Sequence, residues 1–97
     1  MPYALWAATV EAFGVAEADI ALCVARNETR LVPGSVGAEG EGGPWQLHPV
    51  NWAHYGITSA EQLEDYALAA RTAADLRHRD PRGWAGPWPR TAPPCLP

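Results

Sequence analysis

The chain has 97 residues, is 47% hydrophobic and carries a formal net charge of −4 at pH 7, so we expect a single domain, residues 1–97, around one core. Nucleic-acid-binding modules normally present a clustered basic surface, and the acidic balance therefore argues against a nucleic-acid partner. The longest unbroken apolar run, residues 20–25, is too short to cross a bilayer, and the start does not resemble a signal peptide.

The first predicted element is an amphipathic helix over residues 3–13. Helical spacing relates the side chains of Leu5, Trp6, Ala8, Thr9, Val10 and Phe13. Gly14 follows where a helix commonly ends, because glycine adopts a left-handed backbone conformation without steric cost.

A second helix is predicted over about residues 16–30. Its centre, residues 20–25, is apolar on every side, which is typical of a helix that its neighbours bury. The sequence then becomes abruptly polar over residues 26–30. We expect this last turn, which contains Glu28, to emerge into a cleft.

The middle of the chain contains loop and turn signals. Residues 37–44 are too rich in glycine for a helix, and we predict a loop or short irregular hairpin that lines the cleft. Pro49 can open a further helix and Gly56 can close it. Thr58 followed by Glu61 is a capping-box pattern, which predicts the start of the next helix.

An alanine-rich helical stretch is predicted from Thr58 to about Arg79, with a break near Asp65. Residues 82–97 contain two tryptophans and five prolines without periodicity, so we predict an extended tail that wraps the domain. Together the elements predict a mainly α-helical fold with about four to five helices.

The motifs of the chain occur in a distinctive order. Residues 26–29 (Arg-Asn-Glu-Thr) end the buried helix, residues 33–34 (Pro-Gly) form a turn, and residues 43–47 (Gly-Pro-Trp-Gln-Leu) end the glycine-rich loop. This order resembles the soluble lytic transglycosylases and goose-type lysozymes. In those families a buried helix ends in Glu-Ser, followed by a proline-containing turn and a Gly-Leu-Met/Trp-Gln-Ile stretch. The resemblance covers about residues 10–88.

The resemblance implies a small lysozyme-like domain that cleaves the β-1,4 bond between MurNAc and GlcNAc in peptidoglycan without a cofactor. Glu28 would be its general acid and base. This chemistry needs a carboxylic acid that stays protonated near neutral pH, and burial at the mouth of an apolar helix raises the pKa of a carboxyl. The alternative is an ordinary helix-end carboxylate that pairs with Arg26 or Arg30.

The resemblance also implies a set of substrate contacts. Thr29 stands where the family has Ser and keeps the hydroxyl, and Gln46 would form a hydrogen bond in the cleft. Trp45 and Tyr55 could each present an aromatic face to a sugar ring, but in so small a domain such rings also build the core.

Two acidic residues, Glu39 and Glu41, lie on the loop where some lysozyme-like enzymes keep a second carboxylate. The alternative is a solvated acidic loop. Because a flexible loop holds a carboxylate poorly, we expect a scheme with one acid. In lytic transglycosylases a single Glu protonates the leaving oxygen and then deprotonates the C6 hydroxyl of the sugar, which closes a 1,6-anhydro ring.

The two cysteines add a further similarity. The resuscitation-promoting-factor group has a Cys just before the catalytic Glu and a late Trp-Pro-x-Cys motif. Here Cys23 precedes Glu28 by five residues, and Cys95 follows Trp88-Pro89 at a longer spacing. The similarity implies a disulfide between Cys23 and Cys95. The histidines form no His-Glu-x-x-His motif and two distant cysteines form no zinc knuckle, so no metal is predicted.

The competing interpretation is a non-catalytic lysozyme-like module with a structural or cell-wall-binding role, for example in a phage virion. A helical DNA-binding module would need a basic recognition helix, whereas the longest predicted helix mixes arginines with acidic residues. The catalytic interpretation implies a peptidoglycan glycan strand as partner, at the bacterial cell wall. Without a signal peptide, we expect a phage particle, a phage lysis system or a larger secreted assembly to deliver the chain.

Overall fold

The computed structural model describes residues 2–97. It contains three α-helices, which we label α1 (Tyr3–Phe13), α2 (Val15–Thr29) and α3 (Tyr66–Arg79). Short 3-10 turns lie at Pro49–Asn51, Ala53–Tyr55, Ala60–Glu64, Gly83–Ala85 and Pro93–Cys95. The fold is mainly α-helical, as predicted. It has fewer α-helices than the expected four to five, because the segments that follow Pro49 and Thr58 form only 3-10 turns.

Gly14 alone joins α1 to α2. Its φ of +84° suits glycine, and its amide donates to the carbonyl of Val10 at 2.8 Å, which closes α1 where predicted. The two helices pack against each other, and α1 also packs against α3. The centre of α2 is buried as predicted, with Ala21, Val24 and Ala25 fully inaccessible. None of the helices in residues 2–97 combines the length and the apolar character that a membrane crossing requires.

Four aromatic rings pack together in the core. The ring centroid of Phe13 lies 5.7 Å from that of Trp45 and 5.3 Å from that of Trp84. Trp84 in turn lies 5.5 Å from Trp88. The indole N–H of Trp88 donates to the carbonyl of Trp45 at 2.8 Å, so this buried donor is satisfied. These contacts bind the C-terminal tail to the core.

The tail is more turned than the predicted extended chain. The amide of Trp88 donates to the carbonyl of Trp84 at 3.2 Å, and the amide of Ala92 donates to Trp88 at 3.1 Å. These helical turns place Trp84, Trp88 and Ala92 on one buried side. Prolines have no amide hydrogen to donate, and in the tail they lie between the residues whose amides donate these bonds. The spacing of Trp84, Trp88 and Ala92 is a short apolar periodicity that the prediction of an extended tail overlooked, although the tail does pack on the rest of the chain.

Residues 36–47 form the irregular hairpin that the glycine content predicts. Isolated antiparallel bridges join Val36 to Gly42 and Gly42 to Leu47, and no longer strand pairing occurs in the described part of the chain. A Cβ atom at Gly42 would lie 2.7 Å from the Cβ of Ala60. Glycine is therefore required where the hairpin packs against the turn before α3.

The start of α3 confirms the predicted break. Asp65 has an extended backbone, with φ −75° and ψ 105°, and its carboxylate accepts from the amides of Ala67 and Leu68 at 3.0 and 3.2 Å. Asp at this position satisfies amides in the first helical turn that have no partner within the helix. The break therefore has a local cause in one residue.

The capping box before α3 lies one residue later than predicted. It is formed by Ser59 and Gln62 instead of Thr58 and Glu61. The side-chain oxygen of Gln62 accepts from the amides of Ser59 at 3.0 Å and of Thr58 at 2.5 Å. Gln fulfils the same capping role as Glu, so the type of motif is confirmed and its position is corrected by one.

We expect Asp65→Ala to lower the free energy of unfolding by about 1 kcal/mol, because two amides in the first turn of α3 lose their acceptor. Asp19→Ala removes an exposed carboxylate from within α2 and serves as the control, with an expected change below about 0.5 kcal/mol. Urea denaturation followed by circular dichroism measures both values. Equal effects of the two substitutions would contradict the capping role.

Candidate functional site

The polar end of α2 opens onto a pocket of about 400 Å³, a size typical of small-ligand sites. Three parts of the chain line it: the end of α2, the hairpin at residues 36–47 with His48 at its exit, and the tail. The lining residues are Glu28, Glu41, Gln46, His48 and residues 87–91. The pocket thus brings together three of the residues that the sequence singles out, namely Glu28, Glu41 and Gln46.

Glu28 lies in the last turn of α2 and is half-buried. The hydroxyl of Thr91 in the tail donates to Oε2 of Glu28 at 2.5 Å. Within residues 2–97, neither Arg26 nor Arg30 forms an ion pair with Glu28. The ordinary helix-end ion pair, which was the alternative for Glu28, is therefore not formed.

The surroundings of Glu28 favour its neutral form. Burial is the main cause that raises the pKa of this carboxyl above its usual value. The hydrogen bond from Thr91 and the positive charge of Arg90 oppose the rise, whereas the negative charge of Glu41 adds to it. A carboxyl with a raised pKa holds its proton to higher pH than an ordinary glutamate, which suits it to donate that proton to a substrate oxygen.

Glu41 is held in place although it lies on a glycine-rich hairpin. Its Oε1 accepts from the amide of Glu39 at 2.8 Å, and the amide of Gly37 donates to its carbonyl at 2.9 Å. A Cβ atom at Gly37 would overlap the Glu41 carboxylate, so glycine makes room for it. Hydrogen bonds from its own amide and from that of Glu39 lower the pKa of Glu41, which keeps it ionised. These contacts give the Glu41 carboxylate a defined position on the hairpin.

Glu39 does not line the pocket, although it contacts His48, which does. Its Oε1 lies 3.1 Å from Nε2 of His48, and its side chain is 70% exposed. Nδ1 of His48 accepts from the amide of Val50 at 3.0 Å, so Nε2 is assigned the proton that faces Glu39. Of the two loop carboxylates, only Glu41 lines the pocket with Glu28.

Gln46 lines the pocket and also fastens the hairpin. Its backbone has a φ of +49°, and its Nε2 donates to the carbonyls of Ser35 and Gly43, each at 3.0 Å. Both hydrogens of the side-chain amide are thereby used inside the hairpin. What Gln46 can offer a ligand is its Oε1, an acceptor.

Trp45 and Thr29 are corrections to the predicted set of substrate contacts. Trp45 is 0% exposed, and its indole N–H donates to the carbonyl of Ala21 at 2.9 Å, so it has no face for a sugar. Thr29 is also buried. Its hydroxyl donates to the carbonyl of Ala25 at 3.1 Å and accepts from the amide of Leu31 at 3.0 Å, which closes α2. Neither residue lines the pocket.

Tyr55 is a third correction. Its hydroxyl donates to Oδ2 of Asp75 on α3 at 2.5 Å, and Arg79 also donates to that oxygen at 3.3 Å. Tyr55 is not among the residues that line the Glu28 pocket. The polar end of the ring is used to join the turn at residues 53–55 to α3, and we remove Tyr55 from the candidate site.

The sequence did not single out the tail residues that complete the pocket. Trp88 is buried against Trp45, while Arg90 and Thr91 lie beside Glu28. The structure pairs Cys23 with Cys95, with 5.8 Å between their Cα atoms. A disulfide at Cys23, about one turn before Glu28, must bring the residues just before Cys95 close to the end of α2. The cysteine pairing was therefore the feature of the sequence that could have identified these tail residues.

No group of three or more histidine, cysteine or carboxylate side chains that could hold a metal ion occurs within residues 2–97. Comparisons with protein-family models, with characterised proteins and with solved structures found no match for this chain. The likeness to lysozyme-like enzymes therefore depends on the order of motifs in the sequence.

Proposed function

We propose that the protein cleaves peptidoglycan glycan strands at the β-1,4 bond between MurNAc and GlcNAc, with Glu28 as general acid and base. The observation that carries this proposal is a half-buried carboxyl with a raised pKa in a pocket that also contains an ionised carboxylate. Glycosidases use pairs of carboxyl groups whose environments push their pKa values apart in this way.

The two carboxyl groups suit different steps of glycosidic cleavage. Glu28 would donate its proton to the leaving oxygen as the bond to the anomeric carbon breaks. The sugar then carries positive charge at the anomeric carbon and ring oxygen, and the ionised Glu41 would stabilise that charge. Water would add to the anomeric carbon and lose its proton to a carboxylate, which gives a hydrated reducing end.

The competing scheme uses Glu28 alone. After donating its proton, the Glu28 carboxylate would take the proton of the C6 hydroxyl on the same sugar, and that oxygen would close a 1,6-anhydro ring. This scheme needs no second carboxylate. We favour the two-carboxylate scheme, because the carboxylate of Glu41 accepts a hydrogen bond from the hairpin backbone and lines the same pocket as Glu28.

We expect Glu41→Gln to lower the rate of glycan cleavage roughly a hundredfold, and Glu39→Gln to retain most activity. The two residues share one hairpin and one charge type, so Glu39→Gln is a matched control. Mass spectrometry of digested peptidoglycan should show hydrated reducing ends. Anhydromuramyl ends, together with full activity of Glu41→Gln, would instead establish the single-acid scheme.

A cell-wall-binding module without catalysis is the second candidate. It is favoured by one observation: Oε2 of Glu28 already accepts a hydrogen bond from the chain's own tail. Such a module would sediment with insoluble peptidoglycan and release no soluble fragments. Incubation of the purified protein with peptidoglycan, followed by assay of both the pellet and the released sugars, separates the two candidates.

A further inference from the structure

The one hydroxyl that contacts the proposed acid comes from the far end of the chain. Oγ1 of Thr91 lies 2.5 Å from Oε2 of Glu28, and the two residues are 63 positions apart. Thr91 is partly buried and is the last of the tail residues, 87–91, that line the pocket. The contact therefore links the last turn of α2 to the tail inside the candidate site.

The position of Thr91 is fixed by a bond to its own backbone and by bonds of the tail residues that flank it. The side-chain amide of Asn27, the neighbour of Glu28, donates to the carbonyl of Thr91 at 3.0 Å. The next residue, Ala92, is fully buried and bonded to Trp88. Four residues after Thr91, Cys95 is joined to α2 by the disulfide. The hydroxyl is thus presented by a backbone that the core and the disulfide both restrain.

The direction of this hydrogen bond determines the chemistry of Glu28. A protonated carboxyl has one oxygen with a hydrogen and one that only accepts. Oε2 of Glu28 is the acceptor that the structure provides for the Thr91 hydroxyl hydrogen. The carbonyl oxygen is the better acceptor of a neutral carboxyl, so a bond from Thr91 to Oε2 favours the acidic proton on Oε1, the oxygen that forms no hydrogen bond with residues 2–97.

We propose that Thr91 is a positioning residue that keeps the acidic proton of Glu28 on Oε1 and orients this oxygen for the substrate. The inference depends on the proposed function, in which Glu28 is the acid. The charged or titratable groups that face Glu28 are Glu41 from the hairpin, His48 from the hairpin exit and Arg90 from the tail. Thr91 is uncharged, so removal of its hydroxyl alters the surroundings of the carboxyl without altering the net charge of the pocket.

The test compares Thr91→Val, which removes the donor at nearly constant shape, with Thr91→Ser, which keeps it. Thr58→Val is the matched control, because Thr58 is exposed and its hydroxyl donates to the side-chain oxygen of Gln62 at 3.0 Å, away from the pocket. NMR follows the titration of the Glu28 side-chain carboxyl in each protein. Cleavage of soluble glycan fragments gives kcat and KM across pH.

For Thr91→Val we expect the Glu28 titration to move to higher pH, because a donor that favours the charged form is lost. We also expect kcat to fall roughly tenfold to a hundredfold with little change in KM. The pH at which the rate declines on the alkaline side should rise with the pKa of the acid. Thr91→Ser should restore the wild-type titration and most of kcat, and Thr58→Val should match wild type in both.

An unchanged Glu28 titration in a folded Thr91→Val protein would overturn the inference, even if the rate falls, since a merely structural role would leave the titration in place. Failure of Thr91→Ser to restore the titration would overturn it as well. A wild-type protein that titrates as expected but releases no sugars would refute the proposed function instead. The two failures are therefore distinguishable.

Discussion

Glu28→Gln is expected to remove glycan cleavage while the protein stays folded. The amide has the shape of the carboxyl, and its oxygen can still accept from the Thr91 hydroxyl that bonds Oε2 of Glu28, but it has no acidic proton to donate. Loss of a general acid costs roughly a hundredfold to ten-thousandfold in rate. Release of reducing sugars from purified peptidoglycan measures the loss. Near-normal release by the folded variant would refute the role of Glu28 as acid.

The control for this variant is Glu64→Gln. Glu64 is also partly buried and its Oε1 accepts from the amide of Gly34 at 2.9 Å, so it matches Glu28 in chemistry but lies outside the pocket. We expect it to keep full activity. A similar loss of activity in both variants would indicate a general effect of charge removal.

The pH dependence of stability gives a second check on Glu28. Because burial raises the pKa of the folded state above the usual value, the charged form destabilises the fold. This cost is absent below the unfolded pKa and develops as the pH rises through the folded pKa. Glu28→Gln should therefore be at least as stable as wild type at neutral pH. Urea denaturation at neutral and acidic pH compares the two proteins.

Replacement of Cys23 and Cys95 by Ser is expected to lower the free energy of unfolding by about 4 kcal/mol, because the bond closes a loop with a sequence separation of 72 residues. Such a loss is a large fraction of the stability of a small domain. Urea denaturation of the oxidised wild type, the reduced wild type and the double variant measures it. The two disulfide-free proteins should agree.

The same variant should lose activity beyond its loss of stability, since Thr91 and Arg90 line the pocket close to Cys95. Assays at a temperature where the double variant remains folded separate the two effects. Full activity of a folded double variant would show that the core contacts of Trp88 hold the tail without the disulfide.

The parts of the fold that could be predicted are those with local causes. Gly14 ends α1 through its own backbone freedom, and Asp65 breaks the chain through bonds to amides two and three residues ahead. The apolar centre of α2 likewise predicts burial from its own composition. By contrast, the packing of Trp84 against Phe13 joins distant parts of the chain, and the sequence did not reveal it.

The site was predictable only in part for the same reason. The composition around Glu28 indicates a polar exit from a buried helix, but which loop carboxylate faces it depends on hairpin hydrogen bonds that separate Glu41 from Glu39. Trp45 was predicted to contact the substrate, because an indole ring can pack against a sugar as well as within a core. Its bond to the carbonyl of Ala21 decides for the core. The place of Thr91 in the site could not be predicted, because Thr91 contacts Glu28 across a separation of 63 residues.

The hairpin at residues 36–47 lies inside the loop that the disulfide closes between Cys23 and Cys95. A protease that cut the hairpin near Gly40 would therefore leave two pieces still joined covalently. Such a nicked molecule would migrate as one species on a non-reducing gel, although the backbone that presents Glu41 had been broken. Only a reducing gel would reveal the cut. A preparation that has lost activity but not mass should therefore be run on a reducing gel before its inactivity is ascribed to the intact protein.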